Sequence, residues 1–157
     1  MNNYKEKLIE TGVIAFVPKG NSMWPTLKNA RQSVVLLPKK ERLKKWEVAM
    51  YERSDGSIVL HRIVDVVNGG YVFCGDSLEP REFVKEDKVF AYMQGFYRGK
   101  KYIETDSEKF RKETEKLYKN EKKRLKRAGR FFFRQRVKSK IARAFAKLKR
   151  RKNDGTD

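Results

Sequence analysis

The sequence predicts a mainly β protein, a small antiparallel sheet or barrel followed by a basic amphipathic α-helical arm. Three observations carry that prediction. Between residues 12 and 104 the apolar segments are short, rich in β-branched residues and separated by turn residues. Strand and helix patterns do not alternate there, which disfavours a doubly wound parallel fold. The third observation is the distribution of charge. The 157 residues hold 39 Lys and Arg against 20 Asp and Glu, a net charge of +19. Residues 1–108 account for +3 of it and residues 109–152 for +18. All four prolines and eight of the ten glycines also fall in 1–108. The chain therefore divides into a nearly neutral body, 1–107, and an arm, 108–157.

Each element has a local reason. The first ten residues suit a short helix, with Tyr4, Leu8 and Ile9 on one side. Strands are expected at Val13–Val17, Ser33–Leu37, Val48–Tyr51, Ser57–Val67, Tyr71–Cys74, Val89–Tyr97 and Lys101–Ile103. Ser54-Asp55-Gly56 supplies a turn between the third and fourth. Asn68-Gly69-Gly70 suits a tight hairpin between the fourth and fifth. Thr105-Asp106-Ser107 offers a helix N-cap, and Glu108 sits favourably at the positive end of the helix dipole. Along the arm, Phe110, Leu117, Leu125, Ala128 and Phe132 form one apolar stripe. Phe133, Val137, Ile141, Ala144, Phe145 and Leu148 form a second, with Gly129 between the two.

Composition excludes several classes. A single cysteine rules out an internal disulfide framework and a cysteine-based zinc site. A single histidine rules out His-rich metal centres, so no metal or cofactor is expected. The longest apolar run, Val13–Val17, is too short to span a bilayer, and the first ten residues lack a secretory signal. A cytoplasmic protein is expected, with the arm 109–152 able to hold it at the inner face of a membrane. Arg134, Arg136, Lys138, Lys140, Arg143 and Lys147 lie beside or opposite the second stripe, which fits adsorption to anionic lipid. Nucleic acid is the less favoured partner, because apolar periodicity serves lipid better than phosphate. Packing of the arm on its own body is the plain alternative.

Chemistry concentrates after the first strand, at Lys19-Gly20-Asn21-Ser22-Met23-Trp24-Pro25-Thr26-Leu27. A loop that leaves a hydrophobic strand, with a glycine before the serine and a proline after it, presents a hydroxyl and backbone N–H groups together. Acyl transfer requires that combination. A serine nucleophile also needs a base. The sole imidazole is His61, on a strand where Val59, His61 and Ile63 share one face. Asp76, in Cys74-Gly75-Asp76-Ser77, opens the loop after the next strand, which a hairpin returns toward His61.

Together these segments resemble the signal peptidase I and LexA/UmuD-like peptidase superfamily. Gly20-Asn21-Ser22-Met23-Trp24-Pro25-Thr26-Leu27 is similar to its serine box. Trp46-Glu47-Val48-Ala49-Met50-Tyr51 resembles the next strand, where Gly-Asp often stands for Trp46-Glu47. Val59-Leu60-His61-Arg62-Ile63-Val64 resembles the base-bearing strand, and Tyr71-Val72-Phe73-Cys74-Gly75-Asp76-Ser77 the Gly-Asp box. The likeness covers about residues 12–97, with the four boxes in order. A histidine at the base position, followed by Arg62, is the arrangement of the microsomal and archaeal type.

The resemblance implies a signal-peptidase-like domain with Ser22 as nucleophile, His61 as general base and Asp76 as the acidic partner. Glu79 and Glu82 are alternatives for that carboxylate. The oxyanion would rest on backbone N–H groups of Asn21, Ser22 and Met23, since Gly20 stands where a helping serine often does. The substrate would be a leader-type or membrane-proximal peptide. Housekeeping removal of exported signal peptides is not expected, because no membrane anchor appears. Self-cleavage is disfavoured by the lack of an Ala-Gly site upstream of the body. A non-catalytic binding module of the same fold, using its arm to hold anionic lipid or nucleic acid, is the competing reading. Cys74 is read as buried and inert, with a Cys74–His61 pair as a minor alternative. Trp24 and Trp46 either line a groove or pack.

Overall fold

The computed structural model describes residues 4–28, 31–77 and 80–120, with Lys123. A short helix, α1 (Tyr4–Thr11), opens the chain. Eight strands follow: β1 (Ile14–Phe16), β2 (Val34–Pro38), β3 (Val48–Glu52), β4 (Ile58–Val67), β5 (Gly70–Cys74), β6 (Glu82–Lys85), β7 (Val89–Arg98) and β8 (Lys101–Glu104). A second helix, α2 (Glu108–Lys119), comes last. The seven strands expected from the sequence are present, each end within one residue. The additional one is β6, of which only Val84 is buried.

All described pairings are antiparallel. The sheet is open, in the order β1-β2-β7-β3-β4-β5-β6, with β8 beside the second half of β7. Both of its faces are covered. On one, Val48, Met50 and Leu60 pack with Leu8 of α1, Met23 and Leu27 of the serine loop, and Phe110 of α2. On the other, Ala49, Tyr51 and Ile63 pack with Leu43, Tyr71 and Phe73. That is why Val48–Tyr51 is buried at every position instead of alternating.

The compact unit runs through Lys119, so the start of the arm packs on the body. Ser107 caps α2: its Oγ accepts from the Phe110 N–H at 3.4 Å, and its carbonyl accepts from Arg111 at 3.0 Å. Phe110, Thr114 and Tyr118, one helical turn apart, are the buried positions. Phe110 lies edge-on to Phe96, with ring centroids 5.9 Å apart. Phe110→Ala should therefore lower stability by about 3 kcal/mol, read as a shift in the denaturant midpoint. The rest of the first stripe (Leu125, Ala128, Phe132), Gly129, the stripe from Phe133 to Leu148 and its basic neighbours lie outside the described residues. Among the described residues, no helix is long and apolar enough to cross a membrane.

Candidate active site

Beyond β1 the chain reaches Gly20, whose φ of +93° suits a residue without a side chain. Two bonds then fold the serine loop. The Trp24 N–H donates to the Asn21 carbonyl at 3.0 Å, and the Leu27 N–H to the Met23 carbonyl at 2.8 Å. Met23 and Leu27 anchor the loop in the core, while Asn21 and Trp24 face solvent and Ser22 is half-buried. Among the described residues, the N–H groups of Asn21, Ser22 and Met23 donate to no protein acceptor. Three such donors beside a hydroxyl can receive a developing oxyanion.

The loop after β5 crosses directly over this serine. The Ser77 N–H donates to the Ser22 carbonyl at 2.8 Å. A Cβ placed on Gly75 would stand 2.7 Å from that same oxygen. Only glycine allows so close a passage. Gly75→Ala should displace Ser22 and lower any Ser22-dependent turnover by about 10²-fold. Comparing turnover with the melting temperature separates this local shift from global unfolding.

His61 lies on β4 opposite Ala49 of β3 and is 3 % exposed. Its Nδ1 is 3.2 Å from the Tyr51 Oη and 3.7 Å from Glu82 Oε1. The Tyr51 hydroxyl donates to Glu82, and Arg53 donates to Glu82 through Nε at 2.9 Å and Nη2 at 2.7 Å. Burial, then the Glu82 carboxylate beside it, pushes the Tyr51 phenol far above its usual range. For Glu82 burial works against ionisation, but the bonds from Arg53 and Tyr51 outweigh it and hold the carboxyl below its ordinary value. Tyr51 therefore keeps its proton and Glu82 its charge.

Asp76 is fully buried and its hydrogen bonds lead elsewhere. Arg62 grips it with two parallel bonds, Nε to Oδ1 at 2.8 Å and Nη2 to Oδ2 at 2.7 Å. Thr26 donates to Oδ2, and the Tyr118 hydroxyl to Oδ1 at 2.9 Å. Burial raises the cost of the charge, and Arg62 with these donors offsets it, leaving the carboxyl below its usual range. The Arg62 guanidinium also donates to the Trp46 carbonyl at 2.7 Å and lies over Phe110 at 5.4 Å. Trp46 itself has φ of +79°, a conformation natural to glycine, and its ring packs on Tyr118 at 4.7 Å.

Adjacent strand residues point to opposite faces. His61 and Arg62 therefore look in opposite directions, and Asp76 is held on the Arg62 side. Cys74 is directly opposite Arg62 in register, so it shares that face, and its Sγ donates to the Gly75 carbonyl at 3.3 Å. Glu79 lies outside the described residues. Ser22 and His61 do meet a common space: both line a cleft of about 990 Å³ that runs along Ile58–His61. Ile58, Val59 and Leu60 extend past the end of β5, whose pairing begins at Arg62, leaving their strand edge open among the described residues. Trp24 is largely exposed, whereas Trp46 packs. Sequence reading overlooked Tyr51, Arg53, Thr26 and Tyr118, which connect these elements.

Compared with models of known protein families and with curated proteins, the chain matches none.

Proposed function

We propose that this chain is a serine endopeptidase with a signal-peptidase-like catalytic domain. The supporting observation is that Ser22, Met23 and the sole histidine all line one cleft, with the backbone N–H groups of Ser22 and Met23 uncommitted beside the hydroxyl. Ser22 Oγ attacks a peptide carbonyl as His61 takes its proton. The N–H groups of Asn21, Ser22 and Met23 receive the oxyanion, and His61 returns the proton to the leaving amine. Water activated by the same imidazole then hydrolyses the acyl-enzyme. The open edge of β4 suits an extended peptide added as a strand, which carries its scissile carbonyl past Ser22. The order of the four sequence boxes supports the same reading, as does the placement of the sole imidazole, the commonest catalytic base, at the base position.

A leader-type or membrane-proximal peptide is the substrate class, and the basic arm 109–152 would hold the enzyme at an anionic cytoplasmic membrane face. The test is incubation with leader-bearing peptides and identification of new N-termini by mass spectrometry. Cleavage by the wild type but not by Ser22→Ala is expected. The +18 charge of the arm favours one second reading, a binding module that holds anionic lipid or nucleic acid without catalysis. Co-sedimentation with anionic vesicles, joined to an absence of cleavage by the wild type, would favour that module.

A further inference from the structure

We propose that Tyr51 is a positioning residue that transmits the charge of Glu82 to His61 and so fixes the proton of the neutral imidazole on Nδ1. This rests on the reading of His61 as the base, and concerns how that base is prepared. Tyr51 has one hydroxyl proton, and it is directed at the Glu82 carboxylate. An ionised carboxylate only accepts. The Tyr51 oxygen, 3.2 Å from His61 Nδ1, is therefore left as an acceptor. A neutral imidazole meets an acceptor with its protonated nitrogen, so Nδ1 carries the hydrogen and Nε2 the basic lone pair.

The rest of the relay is built to hold that direction. Arg53 donates twice to Glu82, fixing the carboxylate and keeping its charge. Glu82 at 3.7 Å is beyond ordinary hydrogen-bond reach of Nδ1, so the phenol is the bridge. Strand register supplies the geometry. Tyr51 is paired with Val59 and Ala49 with His61, which places Tyr51 diagonally beside His61 on the same face. The tyrosine ring is also clamped against Phe73, with centroids 4.3 Å apart, so its hydroxyl cannot swing away. Asp76 is bonded to Arg62 on the other face.

Because His61 is the only histidine, ¹⁵N-labelled imidazole gives one unambiguous pair of ring-nitrogen signals in the full-length protein. At a pH where the ring is neutral, the wild type should show a protonated Nδ1 and an unprotonated Nε2. In Glu82→Ala the Tyr51 hydroxyl loses its acceptor and turns to donate to Nδ1, moving the ring proton to Nε2. In Tyr51→Phe the Nδ1 proton should exchange with water about tenfold faster, the equivalent of one ordinary hydrogen bond. A wild-type ring protonated on Nε2 would overturn the proposal. So would Glu82→Ala retaining the Nδ1 proton, or Tyr51→Phe with unchanged exchange. Loss of peptide cleavage has no bearing on these spectra. An Nδ1-protonated ring in a protein that cleaves nothing would therefore count against the enzymatic reading and leave the relay intact.

Discussion

Ser22→Ala should keep the wild-type melting temperature while peptide cleavage falls by at least about 10⁴-fold. The serine loop is held by Met23 and Leu27 in the core and by backbone bonds, none of which uses the Ser22 hydroxyl. Its removal is thus invisible to folding and fatal to an acyl-enzyme. His61→Ala should lose activity to a similar degree, because nucleophile and base act as one unit and their losses do not add. It should also destabilise modestly, since Tyr51 and Glu82 would border a space the imidazole filled. Cleavage assays at saturating peptide, beside thermal melts, separate the two effects. Near-normal cleavage by either variant would exclude the proposed pair.

Asp76→Asn should do the reverse, showing first in the melting curve. It removes the charge that pairs with a fully buried guanidinium and leaves Arg62 without compensation, which costs about 3–5 kcal/mol. The damage spreads because Asp76 joins four parts of the chain: β4 through Arg62, the serine loop through Thr26, its own loop beside Ser22, and α2 through Tyr118. An acid that merely oriented His61 would, when removed, lower turnover with the fold intact. The sign of the pH effect follows from the same contacts. The folded carboxyl titrates below its unfolded value, so its contribution is complete above about pH 4 and declines as pH falls through the lower folded value. Denaturant midpoints of wild type and Asp76→Asn should converge on acidification. A constant gap between them would contradict this account.

Much of the fold could be read from the chain because strand length, alternation and turn chemistry agreed in the body. The strand β6 was overlooked for a physical reason: Glu82-Phe83-Val84-Lys85 buries one side chain and exposes Phe83, so it has almost no apolar pattern. Without that strand nothing distinguishes Glu82 from Glu79 as an alternative to Asp76. The face assignment of Asp76 depends on a long-range pairing with Arg62, which no local pattern reveals. Tyr51 was within reach. A turn centred on Asp55 pairs Tyr51 with Val59, and that register puts its ring diagonal to His61. The helical repeat of Phe110 was visible too. Thr114 and Tyr118 are not in the expected stripe, yet they are buried, and the partner that a buried tyrosine needs is Asp76 for Tyr118.

Trp46 gives a similar lesson. Its φ of +79° is a conformation natural to glycine. Packing on Tyr118 and the bond from Arg62 to its carbonyl hold a bulky residue there. Strain and network are thus placed on the Arg62 side of β4, where Thr26 of the serine loop also bonds to Asp76.

The central claim is that His61 activates Ser22 as an acyl acceptor. Treatment with a serine-reactive acylating probe, followed by peptide mass mapping, tests it most directly. The account predicts a single adduct on Ser22 in the wild type and none in folded His61→Ala. A folded wild type without an adduct, or equal labelling of Ser22 in His61→Ala, would contradict it.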